Sequence, residues 1–438
     1  MADEKCPLPH ADGQVGLQAL QALWQKRSPL GALEVMQSEV GRAFQLNLPG
    51  FRPAVLAGPV TNRHLLVTGR DQLLWRTEAD PVTRLLRHGV LVEDGASHDY
   101  LRAQMDPVLQ KPQVAPHVPQ MWQYTDAITR HWRDGDTLDM LDEMRRVALL
   151  ILIGTLFQVD FRPDLERLWQ PILKMLRYIA PGLWVVWPGM PRPGYRHSLQ
   201  AVDDYLYQII RDRRADVAQG YVGEDLLTRL VQNPDMSDDL IRDQLLTMLI
   251  AGHDTSTALF AWMLYLLGRH PAAMAQVRAE VDAVVGRQPP TLAQLGDLAY
   301  LDLVIKETLR LYPPIHVGNR RAPVDLTVAG YHIPAGTRIM YSIYLSHRDA
   351  EYWPDPAAFQ PERFAHAERG QRPAFAYVPF GGGPRNCIGA AYAQIEAKVV
   401  FARLLQQFDL TLTGPPVHAY MGATLEPRPG VFMHIRRR

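Results

Sequence analysis

Three stretches of this 438-residue chain carry residues whose type and spacing could do chemistry. The first is VPFGGGPRNCIGA, residues 378 to 390, in which Cys387 follows three glycines, a proline and an arginine. A thiolate is a soft ligand for iron or zinc, or a nucleophile, provided it is kept deprotonated. Glycines let backbone N–H groups turn toward a sulfur with no side chain in the way. The pattern predicts a helix starting at Ile388, whose partial positive end would favour the anion. Zinc is disfavoured because no second cysteine or histidine stands at ligand spacing. A nucleophile would need a general base that the local sequence does not supply. One thiolate at a helix start suits haem iron, which takes a single proximal ligand from a protein.

The second stretch, LIAGHDTSTALF (249–260), sits midway along the longest helical run. The small pair Ala251–Gly252 and the polar pair Asp254–Thr255 interrupt an otherwise apolar helix. Small residues let a helix approach a flat group closely, and a threonine hydroxyl can divert a helical carbonyl and bind water or dioxygen. Standing alone, the segment would read as a packing notch with a locally satisfied threonine. In the third stretch, KETLRLYPP (306–314), Glu307 and Arg310 fall on one helix face. The flanking residues are too apolar for a wholly solvated face, so the pair is expected to be buried, with further hydrogen bonds to make it tolerable.

Phe380, Gly383, Arg385, Cys387 and Gly389 match the cysteine-loop signature of the cytochrome P450 family position for position. The chain resembles that family, in its soluble bacterial form, from about residue 40 to the end, with the motifs in the expected order. The resemblance implies that Cys387 ligates the iron of haem b (iron protoporphyrin IX), with Phe380 and Ala251 beside the cofactor. It implies His98, Arg102, Arg385 and Arg320 as partners of the haem propionates, the family register favouring Arg320 over Arg321. Asp254 and Thr255 would be the catalytic pair that organises proton delivery to dioxygen. Ile250, Ala251 and Val317 would line the substrate pocket, with the Trp184–Trp187 loop, segment 80–94 and residues 313–318 also lining or capping it. Glu307, Arg310 and Arg363 would form a buried structural network.

The elements that must position these residues are mostly helices. Helical periodicity marks 14–27, 97–110, 117–133, 137–158, 164–179, 195–219, 237–269, 271–285, 299–311 and 388–408. Strand-like pieces are confined to 43–48, 53–57, 325–341 and the C-terminal tail. The expected fold class is therefore mainly α with a small β portion. The resemblance sharpens this to the cytochrome P450 fold, with a long central helix over the haem and the cysteine loop beneath it. No linker interrupts the chain, so one haem domain over 1–438 is expected, with a loose tail over about residues 1–13 and no fused reductase.

Lys plus Arg and Asp plus Glu balance at 46 each, which gives no support to nucleic-acid binding. Two cysteines cannot build a disulfide framework, and no apolar run reaches the ~20 residues of a membrane span, so a cytoplasmic protein without an anchor is expected. The function implied is insertion of one oxygen atom from O2 into an apolar small molecule such as a fatty acid, terpenoid or steroid. Electrons would come from a separate ferredoxin and ferredoxin reductase. The alternatives are a peroxide-driven peroxygenase or isomerase on the same fold, or a non-catalytic haem-binding protein. An acidic donor is expected to dock on a face bearing Arg102, Lys111, Arg363, Arg369, Arg372, Arg385 and Lys398.

Overall fold

The computed structural model describes residues 6–77, 80–182, 194–365 and 372–438. Five helices position the candidate site, and each begins or is held for a local reason. Helix α1 (Gly95–Met105) follows Asp94, and α2 (Met140–Leu152) is capped by the Asp139 carboxylate, which accepts from Leu141 N. Helix α3 (Asp238–Arg269) runs 32 residues, about 48 Å at ~1.5 Å per residue. Ser237 caps it and Asp238 and Asp239 sit in its first turn, where carboxylates suit the helix dipole. Helix α4 (Ala299–Leu311) ends before Pro313, and α5 (Ala390–Gln407) follows the cysteine loop. Helix α3 is buried nearly all round and forms the centre of the main apolar cluster, which includes Leu149, Leu152, Leu246, Phe260, Leu301 and Phe401.

The β portion is small. Strands β1 (Ala43–Gln45), β2 (Ala54–Leu56), β3 (Val317–Arg321) and β4 (Arg338–Ser342) form one sheet in the order β1-β2-β4-β3. In it Arg320 pairs with Ile339 and Val317 with Ser342. A two-stranded hairpin of β5 (His418–Met421) and β6 (Leu425–Arg428) stands apart from the sheets. Two three-stranded sheets complete the inventory among the described residues.

Several boundaries differ from the sequence expectation. The helix after Cys387 starts at Ala390, not Ile388. The run 137–158 divides into a short strand (Thr137–Asp139), α2, and a wider helical turn (Ile153–Phe157). Residues 325–341 are three strand pieces broken at Ala329–Gly330 and Gly336, all of which adopt positive φ. Helix Pro29–Val40 carried no strong apolar period, although Ser28 and Pro29 are a sound cap and first turn. The tail is not loose throughout: Cys6–Pro7 pairs in parallel with Tyr331–His332, and Asp12 caps the helix Gly13–Lys26.

Candidate active site

The cysteine loop is shaped by its own backbone. Cys387 N donates to Phe380 O at 2.8 Å, and Asn386 N to Gly383 O at 3.0 Å. Gly383 has φ +65°, and a Cβ there would stand 2.3 Å from Leu66 O, so only glycine fits. The Cys387 side chain is open to solvent although protein surrounds it on most sides. Burial pushes its thiol above the ordinary range, against the Gly389 N–H and the Arg102 charge, which favour the thiolate. The Gly389 N–H and the Arg102 charge act in the direction the sequence reading expects, and a bound cation would add to them.

Helix α1 is fastened to this loop at two points. Arg102 donates to Asn386 O at 2.6 Å and to Asn386 Oδ1 at 3.2 Å, and pairs with Asp106 at 3.0 Å. Arg385 donates to Asp94 at 2.9 Å and to Glu93 O. Burial lowers the Arg385 pKa to about 10. His98 is buried, with Nδ1 2.8 Å from Asp99, and burial holds it below its ordinary pKa. Arg320 is the buried member of its pair and Arg321 the exposed one. Among the described residues Arg320 meets no carboxylate within ion-pair distance; it donates to Asn319 O and lies 5.2 Å from the Tyr341 ring centroid. A buried guanidinium without an anion asks for one. A thiol open to a cofactor, flanked by Arg102, Arg385, His98 and an unpaired Arg320, fits a haem with its two carboxylates.

On α3, every residue from Ile241 to Leu264 is buried except Ala251, Gly252 and Thr255. These three, at i, i+1 and i+4, form one short stretch of helix surface that protein atoms do not fully cover. Thr255 Oγ1 donates to Ala251 O at 2.7 Å, the diverted carbonyl that the sequence suggested. Ile250 is buried beside it, and Val317 is half-buried on β3. Gly252 has a second use: a Cβ there would lie 2.2 Å from Leu152 Cδ1, so its smallness also serves the contact of α3 with α2.

Asp254 is buried and held by partners on two other elements. Its Oδ1 accepts from Arg145 at 3.1 Å and its Oδ2 from Thr424 at 2.8 Å. Arg145 also meets Glu426 at 2.7 Å, and Arg428 meets Glu426 at 2.6 Å. The acid of α3 is thus tied to α2 and to the turn of the β5–β6 hairpin. A second buried acid, Glu396 on α5, accepts from Ser256 Oγ at 2.6 Å and is raised by burial to about 8. Neither partnership was marked in the sequence. An arginine inside MRRVALLILIG and a glutamate inside AAYAQIEAKVV are local signals of buried charge, but nothing local names their partners.

Glu307, Arg310 and Arg363 do meet, all buried. Arg310 makes a two-pronged contact with Glu307, both bonds 2.7 Å, and Arg363 Nε reaches Glu307 at 3.1 Å. Arg310 also donates to His347 O, and His347 Nε2 accepts from Val378 N at 2.8 Å, which leads directly into the cysteine loop. Burial holds His347 neutral, down at about 3. The proposed donor face fares worse. Arg363 is buried, Arg385, Arg102 and Lys398 are largely covered, and Arg372 donates to Arg363 O and stacks on Trp353 and Phe364. Of the seven, Lys111 alone among the described residues is exposed; Arg369 and the Trp184–Trp187 loop lie outside them.

The sequence profile of the cytochrome P450 family matches residues 16–432. The chain belongs to the cytochrome P450 family. Cytochrome P450 139 of Mycobacterium tuberculosis is 30% identical over 430 residues, 94% of this chain and 99% of that protein. The cyclooctat-9-en-7-ol 5-monooxygenase of Streptomyces melanosporofaciens is 30% identical over 76% of this chain and 74% of its own. The crystal structure of the cytochrome P450DA heme domain superimposes with a TM-score of 0.85, covering 99% of this chain and 98% of that one at 24% identity, which establishes the shared fold. As a P450, this protein is a haem-thiolate monooxygenase. No helix among its described residues is long and apolar enough to cross a membrane.

Proposed function

We propose that this P450 hydroxylates an apolar small molecule, with haem b held by Cys387 and electrons supplied by a ferredoxin and its reductase. The observation that carries the reading is the uncovered stretch Ala251, Gly252 and Thr255 on a helix otherwise buried from residue 241 to 264. When bound, the haem supplies the iron chemistry that activates dioxygen. Arg102, Arg320, Arg385 and His98 hold its carboxylates, and Phe380 and Ala251 border it. The network of Glu307, Arg310 and Arg363 fixes the loop that presents Cys387.

The polar residues manage protons. Thr255 Oγ1 can keep its bond to Ala251 O or turn its proton outward, so it can pass one proton at a time at that atom. Asp254 can replenish it only by giving up one of its two present partners. Thr424 is the weaker hold, a neutral hydroxyl against a guanidinium. Ile250, Ala251 and Val317 give the pocket an apolar wall that favours a hydrocarbon surface over water. Fatty acids, terpenoids and steroids are the classes to screen; one relative acts on cyclooctat-9-en-7-ol.

Thr255→Ala tests the reading. The variant should still bind haem and substrate, and with a ferredoxin system should divert most of its reducing equivalents to peroxide. Product formation that stays fully coupled to electron consumption would refute the role of Thr255. Turnover that runs equally well on peroxide with no donor would instead favour a peroxygenase.

A further inference from the structure

Trp75 belongs to none of the groups assigned above. Its backbone is fixed on two sides. Trp75 N donates to both oxygens of Asp94, at 3.2 and 3.0 Å, and the adjacent Leu74 exchanges backbone hydrogen bonds with Arg321 at 3.0 and 2.9 Å. The indole lies against two guanidiniums, Arg320 at 4.3 Å and Arg385 at 5.3 Å from the ring centroid. Its Nε1–H is buried and has no hydrogen-bond partner among the described residues. An indole nitrogen can only donate, and a buried donor left unpaired forfeits its full hydration. Among the described residues Asp94 is the one carboxylate bonded to Trp75 and Arg385, already accepting from Trp75 N, Arg76 N and Arg385. Among the described residues the Trp75 ring therefore meets two largely covered cations and carries a spare N–H against a single anion. A water could satisfy the N–H but not the surplus positive charge; a carboxylate satisfies both.

We propose that Trp75 is a cofactor-binding residue whose Nε1–H donates to a haem propionate alongside Arg320 and Arg385. The inference rests on the haem reading above and adds a donor from the segment before α1. Trp75→Phe keeps the flat ring under the guanidiniums and removes only the N–H, and Trp75→His restores an N–H. Transfer of ferric haem to excess apomyoglobin should run about tenfold faster from Trp75→Phe than from the parent, the size expected for losing a hydrogen bond to a charged group. Trp75→His should recover slow transfer. With haem dimethyl ester, whose propionate charges are gone, Trp75→Phe should lose most of that disadvantage.

An unchanged transfer rate in Trp75→Phe, or the same acceleration with both cofactors, would overturn the proposal, the latter by tracing the effect to packing. A parent chain that binds no haem would overturn this inference together with the reading beneath it. A haem-binding parent with an indifferent Trp75→Phe overturns this one alone.

Discussion

Cys387 and Asp254 are each governed by neighbours remote in sequence, and that sets what substitutions there should do. Cys387→His is expected to keep haem but lose the thiolate-type spectrum of the reduced, carbon-monoxide-bound protein, while Cys6→Ser leaves it untouched. An unchanged spectrum in Cys387→His would remove the iron ligand. Asp254 and Glu426 share Arg145, so Arg145→Leu leaves the buried Asp254 carboxylate without its cation and Glu426 with Arg428 alone. Breaking a buried pair in this way costs about 3–5 kcal/mol. Urea denaturation should show a loss of that order, with part recovered in Arg145→Leu/Asp254→Asn. The cysteine loop, Thr255 and the Glu307–Arg310 pair were legible in the sequence because each motif is contiguous or lies within one helical turn. Arg145 was not, because it stands 109 positions from Asp254 and Thr424 stands 170. Trp75 gave no signal at all: its role depends on Arg320 and Arg385 arriving from two other elements.

Two glycines make different demands on the elements that carry them. At Gly252 an added Cβ meets the tip of a leucine side chain, whereas at Gly383 it meets the Leu66 carbonyl oxygen at a backbone angle that L-residues avoid. Side chains can shift where backbone cannot. Gly252→Ala should therefore lower the thermal midpoint by a few degrees at most. Gly383→Ala should cost several times more in stability and impair haem incorporation. Differential scanning calorimetry with a haem-content assay checks both, and equal effects would contradict the distinction. At this scale the sequence located nearly every long helix because the 3.6-residue period is a local property. It misplaced boundaries where the cause was not periodic, as at the delayed start of α5 and the strand before α2. Strand β3 was missed because its pairing with β4 is a long-range fact.

For the whole molecule, buried titratable groups set the pH range of stability. His253 and His316 are pushed down to about 4 and His347 to about 3, all by burial. Their unfolded forms take up protons first, so the stability they represent is present above about pH 6.5 and is lost as pH falls toward those values. Glu396 has the opposite sign. Raised to about 8, it stays protonated in the fold while the unfolded chain ionises above about 4.5, so stability declines as pH rises from there through about 8. Between about pH 6.5 and 8 the histidines no longer change and Glu396 dominates. Unfolding free energies of the parent, from urea titrations, should fall relative to Glu396→Gln by up to about 1.4 kcal/mol per pH unit in that window. Parallel curves would show that Glu396 is already ionised.

The pairing of Cys6–Pro7 with Tyr331–His332 has a consequence in time. The Cys6–Pro7 strand, once it leaves the ribosome, must wait for a partner more than three hundred residues downstream. At ~5–20 residues per second that is a delay of about 15 to 65 seconds. The Gly13–Lys26 helix can form at once from local contacts, but the strand before it cannot seat until the chain beyond β3 has emerged. This edge strand is thus synthesised well before its partner and completed late, a schedule that runs against the order of the sequence.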